Sequence, residues 1–130
     1  MTPTLHHVCF RIPENKIEEE LQFYYDLGME LKSHEKFAQW KFDLYFLGFP
    51  GKGCTVELTT NYGTNEYSTG EAFSHIAIGA DDVYAYVAGL PASVKVTRPA
   101  GPMGGKEGAT VIAFVASPSG TRVEVVPNAM

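Results

Sequence analysis

The chain has 130 residues, 45% of them hydrophobic and 19% charged, with a formal net charge of −5. That length suits one domain, or two fused halves of about 65 residues that bury too little surface to stand well alone. The negative charge argues against nucleic acid or an anionic membrane as the main partner, and no apolar run reaches the roughly 18 residues a membrane span needs. The N-terminus lacks the pattern of a signal peptide. Cys9 and Cys54 lie in strand-like runs without CxxC spacing. They are read as two partly buried free thiols in a reducing cytosol, so a cytoplasmic location is expected.

In chain order, a strand is predicted over 5–12 and a helix over 15–27, where Ile17, Leu21 and Tyr24 share one face. Asn15 with Glu18 forms a candidate capping box, and Gly28 supplies the stop. Strands follow near 29–35, 41–48 and 54–60. The pattern then repeats. A strand over 74–80 leads into a helix over 82–90, opened by Asp81-Asp82, carrying Val83, Val87 and Leu90, and ended by Pro91. Strands near 93–97, 109–116 and 121–126 complete it. The segment Arg98-Pro99-Ala100-Gly101-Pro102-Met103-Gly104-Gly105 is predicted as a turn-rich loop.

Each half opens on His (His7-Val8-Cys9-Phe10; His75-Ile76-Ala77-Ile78) and closes on Gly-x-x-x-Glu (Gly53 to Glu57; Gly120 to Glu124). His7 and Glu57 are 50 positions apart, His75 and Glu124 49. A matched pair of potential ligands inside matched strand patterns marks an internal repeat. The predicted class is therefore α+β: one domain over 1–130 made of two tandem βαβββ modules, about 1–66 and 67–130.

Strand alternation puts His7, Cys9 and Arg11 on one face and Val8, Phe10 and Ile12 on the other. Likewise Thr55, Glu57, Thr59 and Asn61 oppose Val56 and Leu58, and Arg122 and Glu124 oppose Val123 and Val125. Two half-sheets facing each other would bring His7, Glu57, His75 and Glu124 to one cleft. Two imidazoles and two carboxylates suit Ni²⁺, Co²⁺ or Zn²⁺ and leave positions for substrate oxygens. His6, of the wrong parity, and His34, outside the repeat, are read as structural or surface residues.

These residues resemble glyoxalase I (lactoylglutathione lyase), within the vicinal-oxygen-chelate superfamily, over nearly the whole chain. The matching pieces include Leu5-His6-His7 with Arg11, Val56-Glu57-Leu58-Thr59 with Asn61-Tyr62-Gly63, Ser74-His75-Ile76-Ala77-Ile78, the run Thr110 to Val115, and Pro118-x-Gly120 with Val123-Glu124. The resemblance implies metal ligation by His7, Glu57, His75 and Glu124, with Ni²⁺ or Co²⁺ favoured over Zn²⁺ in a short chain. It implies isomerisation of the glutathione–methylglyoxal hemithioacetal to S-D-lactoylglutathione through an enediolate, with Glu124 as leading base and Glu57 as its mirror. Glutathione contacts are implied at Arg11 and Asn61, with a third at Lys106. A homodimer with sites at the subunit interface is implied as well. The loop Met103 to Gly108 is two residues longer than the short bacterial pattern. The rivals are another enzyme of the superfamily (an extradiol dioxygenase or a thiol transferase) and a metal-free drug-binding protein.

Overall fold

The computed structural model describes residues 1–129, in two compact units that divide between Ser68 and Thr69. Each unit is a βαβββ module with one four-stranded mixed sheet. In the first, the order across the sheet is β1 (Val8–Arg11), β4 (Val56–Asn61), β3 (Phe42–Gly48), β2 (Glu30–Phe37), with α1 (Ile17–Leu27) between β1 and β2 in sequence. In the second it is β5 (Ile76–Ala80), β8 (Arg122–Pro127), β7 (Val111–Ala116), β6 (Lys95–Pro102), with α2 (Val83–Ala88) in the matching place. The first and last strands of each module pair in parallel; the other neighbours are antiparallel.

The α+β class and the two-module architecture match the sequence expectation; the local departures have physical causes. Helix α1 is preceded by a 3₁₀ turn at Glu14–Lys16 and begins at Ile17 without a side-chain cap. The expected Asn15–Glu18 capping box does not form. Asn15 instead donates its backbone N–H, which Glu18 would have accepted in a capping box, to Asn65 Oδ1, and Glu14 Oε1 accepts the backbone N–H of Gly63. The stripe that α1 buries is Glu20, Phe23, Tyr24 and Leu27, rotated from the expected Ile17–Leu21–Tyr24 line. Its end is as expected: Gly28 has φ +111°, which a side chain rarely adopts. Asp82 caps α2, accepting from the Ala85 N–H.

The predicted loop at 98–105 is largely strand. β6 runs through Pro99 and Pro102, which an edge strand with its outward N–H positions unpaired can hold. Two irregularities of register interrupt it, at Val96/Arg98 and Arg98/Gly101. The Arg98 guanidinium bridges them, donating to the carbonyls of Pro99, Gly101, Pro102 and, on the neighbouring strand, Ile112. Only Met103–Gly105 forms a separate 3₁₀ turn.

In the first module the core is Ile12, Phe23, Tyr24, Leu27, Leu47, Val56 and Leu58; in the second it is Ile78, Val83, Ile112, Ala113, Val115, Val123 and Val125. The opposite face of each sheet is less buried, and it carries the polar alternates. Among the buried polar groups, Asp43, 8% exposed, accepts from Tyr62 Oη and from His34 Nε2 at 3.0 Å, while His34 stacks on Tyr45. His34 is therefore structural, as its place outside the repeat suggests.

Burial alone would raise the Asp43 carboxyl, but the Tyr62 hydroxyl and then His34 hold it below its usual value. The Tyr62 phenol is pushed up to about 12, chiefly by that hydrogen bond. A carboxyl lowered in the folded state adds stability above its unfolded pKa of about 3.9, and this stability is lost as pH falls through the lower folded value. Asp43→Asn is expected to reduce stability at neutral pH and to flatten its decline below about pH 4. Denaturant melts across pH 2–7 check this; an unchanged acid slope would remove Asp43 from the acid response.

Candidate metal-ligand pairs

The parallel ladder between β1 and β4 sets Val8 against Val56 and Cys9 against Glu57. The ladder between β5 and β8 sets Ile76 against Val123 and Ala77 against Glu124. The two registers are the same, so the residue before each first strand, His7 or His75, stands next to the glutamate of the last. His7 Nε2 lies 3.4 Å from Glu57 Oε1, and His75 Nε2 lies 3.1 Å from Glu124 Oε1. Side-chain exposures are 33% and 15% in the first pair and 32% and 15% in the second, so the two pairs occupy matching environments. The one-residue difference in spacing falls between the strands and leaves the pairs unchanged.

Behind each imidazole the neighbouring residue engages Nδ1: His6 Nδ1 lies 2.7 Å from His7 Nδ1, and Ser74 Oγ lies 2.7 Å from His75 Nδ1. Nε2 is thus the nitrogen presented to the carboxylate in both modules. Each ring also meets a phenylalanine edge to face, His7 with Phe46 at 6.1 Å and His75 with Phe114 at 5.2 Å. Phe46 and Phe114 are the ladder partners of Glu57 and Glu124 on the next strand. These phenylalanines and Ser74 were not among the sequence-predicted site residues, and His6, read as a bystander, is a direct partner of His7. Both phenylalanines follow their histidine by 39 positions, a signal the repeat carried.

An imidazole nitrogen and a carboxylate oxygen bound side by side on one ion at about 2.1 Å lie about 3.0 Å apart. The observed separations fit that with little movement. Among the described residues, His, Cys, Asp and Glu side chains do not gather in groups of three or more able to hold an ion; each module offers a pair.

Of the other predicted residues, Arg11 is exposed at the end of β1 on the His7 face, and Asn61 ends β4 on the Glu57 face, accepting from Tyr67 Oη at 3.0 Å. Lys106 is exposed on the turn after β6. Cys9 is exposed rather than partly buried, since it lies on the polar face; Cys54 is intermediate. The Cys9 sulfur lies 3.3 Å from Thr59 Oγ1, which also donates to Glu57 Oε2 at 3.3 Å. Desolvation of the sulfur first, and then the Glu57 carboxylate, raise the Cys9 thiol. It stays protonated at neutral pH and is a poor nucleophile.

A family model described as Glyoxalase/Bleomycin resistance protein/Dioxygenase superfamily matches residues 4–125. A lactoylglutathione lyase of Haemophilus influenzae is 40% identical over 94% of this chain and 90% of its own length. One from Neisseria meningitidis is 36% identical over 94% and 88%. The crystal structure of glyoxalase I from Zea mays superposes with a TM-score of 0.84 at 33% identity over 95% of this chain, which spans 44% of the maize chain. The trypanothione-dependent glyoxalase I of Leishmania major gives a TM-score of 0.81 at 28% identity, covering 98% and 88%. Among the described residues, no helix is long and apolar enough to cross a membrane.

Groups that orient a ligand imidazole from behind are worth about 10–100-fold in metal affinity. Ser74→Ala and His6→Ala are each expected to weaken Co²⁺ binding about 10-fold, read by the cobalt absorption bands during titration. Unchanged affinity in both would deny these residues an orienting part.

Proposed function

We propose, for a chain that belongs to the Glyoxalase/Bleomycin resistance protein/Dioxygenase superfamily, a metal-dependent lactoylglutathione lyase activity: isomerisation of the glutathione–methylglyoxal hemithioacetal to S-D-lactoylglutathione. The observation that carries this reading is the repeated His–Glu pair, His7 with Glu57 and His75 with Glu124, in one register in both modules. Curated lactoylglutathione lyases related over almost the full chain support it.

The ligands proposed are His7, Glu57, His75 and Glu124. A pair fills two positions, so four ligands require two pairs; a homodimer would supply them from a first module of one chain and a second module of its partner. On that view the whole of 1–130 works as one domain, with modules 1–66 and 67–130 as the exchangeable halves. The mixed nitrogen and oxygen donors suit Ni²⁺ or Co²⁺, with Zn²⁺ also accommodated. Free Cys9 and Cys54 favour a cytoplasmic setting.

When bound, the divalent ion supplies Lewis acidity that favours negative charge on two adjacent substrate oxygens. The chain's own groups move the proton. Glu124 takes it from the carbon bearing oxygen and sulfur, and a carboxylate returns it to the neighbouring carbon, so the reaction is redox-neutral overall. The two glutamates differ in support. Thr59 donates to Glu57, whereas the corresponding position two residues after Glu124 is Val126, which has no hydroxyl. Glu57 is thereby held at its post, and Glu124 has greater freedom to turn to the substrate, which favours it as the base. Phe46 and Phe114 back the imidazoles with apolar surface that limits water around the reacting groups. Arg11, Asn61 and Lys106 are proposed to hold the thiol; a guanidinium can bind a carboxylate bidentately despite the net negative charge.

The test is thioester absorbance from methylglyoxal plus glutathione, on apoprotein reloaded with Ni²⁺, Co²⁺ or Zn²⁺. Turnover is expected with at least one ion; its absence with all three, and with trypanothione in place of glutathione, sinks the reading. Glu124→Gln is expected to keep its circular dichroism and lose about 10²–10⁴-fold in kcat. Glu57→Gln should lose less if it is chiefly a ligand.

A further inference from the structure

We propose that Tyr67 is a positioning residue for thiol recognition, setting which end of the Asn61 amide meets the ligand. The proposal rests on the reading of Asn61 as a thiol contact. An asparagine offers an acceptor at Oδ1 and two donors at Nδ2, and a half-turn of its amide exchanges them at almost no steric cost. Which end faces a substrate therefore has to be set by a neighbour. Here Tyr67 Oη donates to Asn61 Oδ1 at 3.0 Å, so the carbonyl end of the amide is engaged by the phenol and Nδ2 is the end left to meet a ligand. The corner so formed is a donor, matched to a carboxylate or carbonyl oxygen of the thiol and hostile to an ammonium.

The segment joining the two residues is well anchored. Gly63, at φ +82°, makes the turn, and its N–H reaches Glu14 Oε1 at 2.9 Å. The Glu14 N–H donates to Thr64 O at 3.0 Å, the Asn15 N–H to Asn65 Oδ1 at 3.1 Å, and the Thr64 N–H to Asn61 O at 3.0 Å. Tyr62 is held at both ends, by its N–H on Lys41 O and by its hydroxyl on Asp43. The chain is thus clamped onto the start of the first helix, and Tyr67 returns to Asn61 from a fixed base. The clamp also takes the Asn15 N–H that the expected capping box would have used. The 3₁₀ turn gives up its side-chain cap, and the corner gains a rigid frame.

The experiment compares Tyr67→Phe, Asn61→Ala and the double variant as metal-loaded enzymes. It reads steady-state kinetics and the Kd of unreactive S-methylglutathione by calorimetry. Tyr67→Phe keeps the ring and frees the amide to turn. It is expected to raise both KM and the Kd about 5–10-fold, with kcat within about twofold and the melting temperature close to that of the parent. In the Asn61→Ala background, Tyr67→Phe should have no further effect, because no amide remains to orient. If Asn61→Ala weakens S-methylglutathione binding while Tyr67→Phe does not, the proposal is overturned and the reading of Asn61 stands. If Asn61→Ala binds the probe as the parent does, that reading falls and the proposal falls with it. Additive losses in the double variant would show Tyr67 acting by another route and overturn it as well.

Discussion

The constraint on which the rest depends is the parallel pairing of the first and last strands in each module. A parallel ladder cannot be closed by a tight turn, so a helix and two antiparallel strands lie in the chain between β1 and β4 and between β5 and β8. Once docked, neighbours in register share a face, and the imidazole before one strand is carried to the carboxylate of the other. Neither histidine nor glutamate selects its partner; the ladder does. The phenylalanine opposite each glutamate follows from the adjoining antiparallel ladder in the same way.

Much of this was legible in the sequence. The repeat was visible as two His-led strands and two Gly-x-x-x-Glu endings, and parity alone divided polar from core residues correctly in β1, β4 and β8. Parity works because an alternating strand with one buried face tolerates no slip of a single residue. The pairing of His7 with Glu57 could be suspected from the repeat, but not its distance, because sequence does not state which strands are neighbours.

What escaped the sequence depended on contacts from elsewhere in the chain. Asn15 had the chemistry of a cap, yet Asn65, 50 positions on, takes the backbone N–H that Glu18 would have accepted. Pro99 and Pro102 look like loop residues until Arg98 is seen supplying the donors that the prolines and the bulges withhold. His6 was set aside for its parity, a rule about faces that does not cover the end of a strand, where adjacent rings can turn toward each other.

The difference between 50 and 49 residues from histidine to glutamate has a consequence for how such a chain can vary over time. Residues gained or lost at the bends outside the ladders, at 49–53 or 103–108, change the connections without displacing either His–Glu pair. Those bends can drift in length and composition while the His–Glu geometry is inherited intact. A change of even one position inside a ladder would carry the glutamate to the opposite face of its sheet.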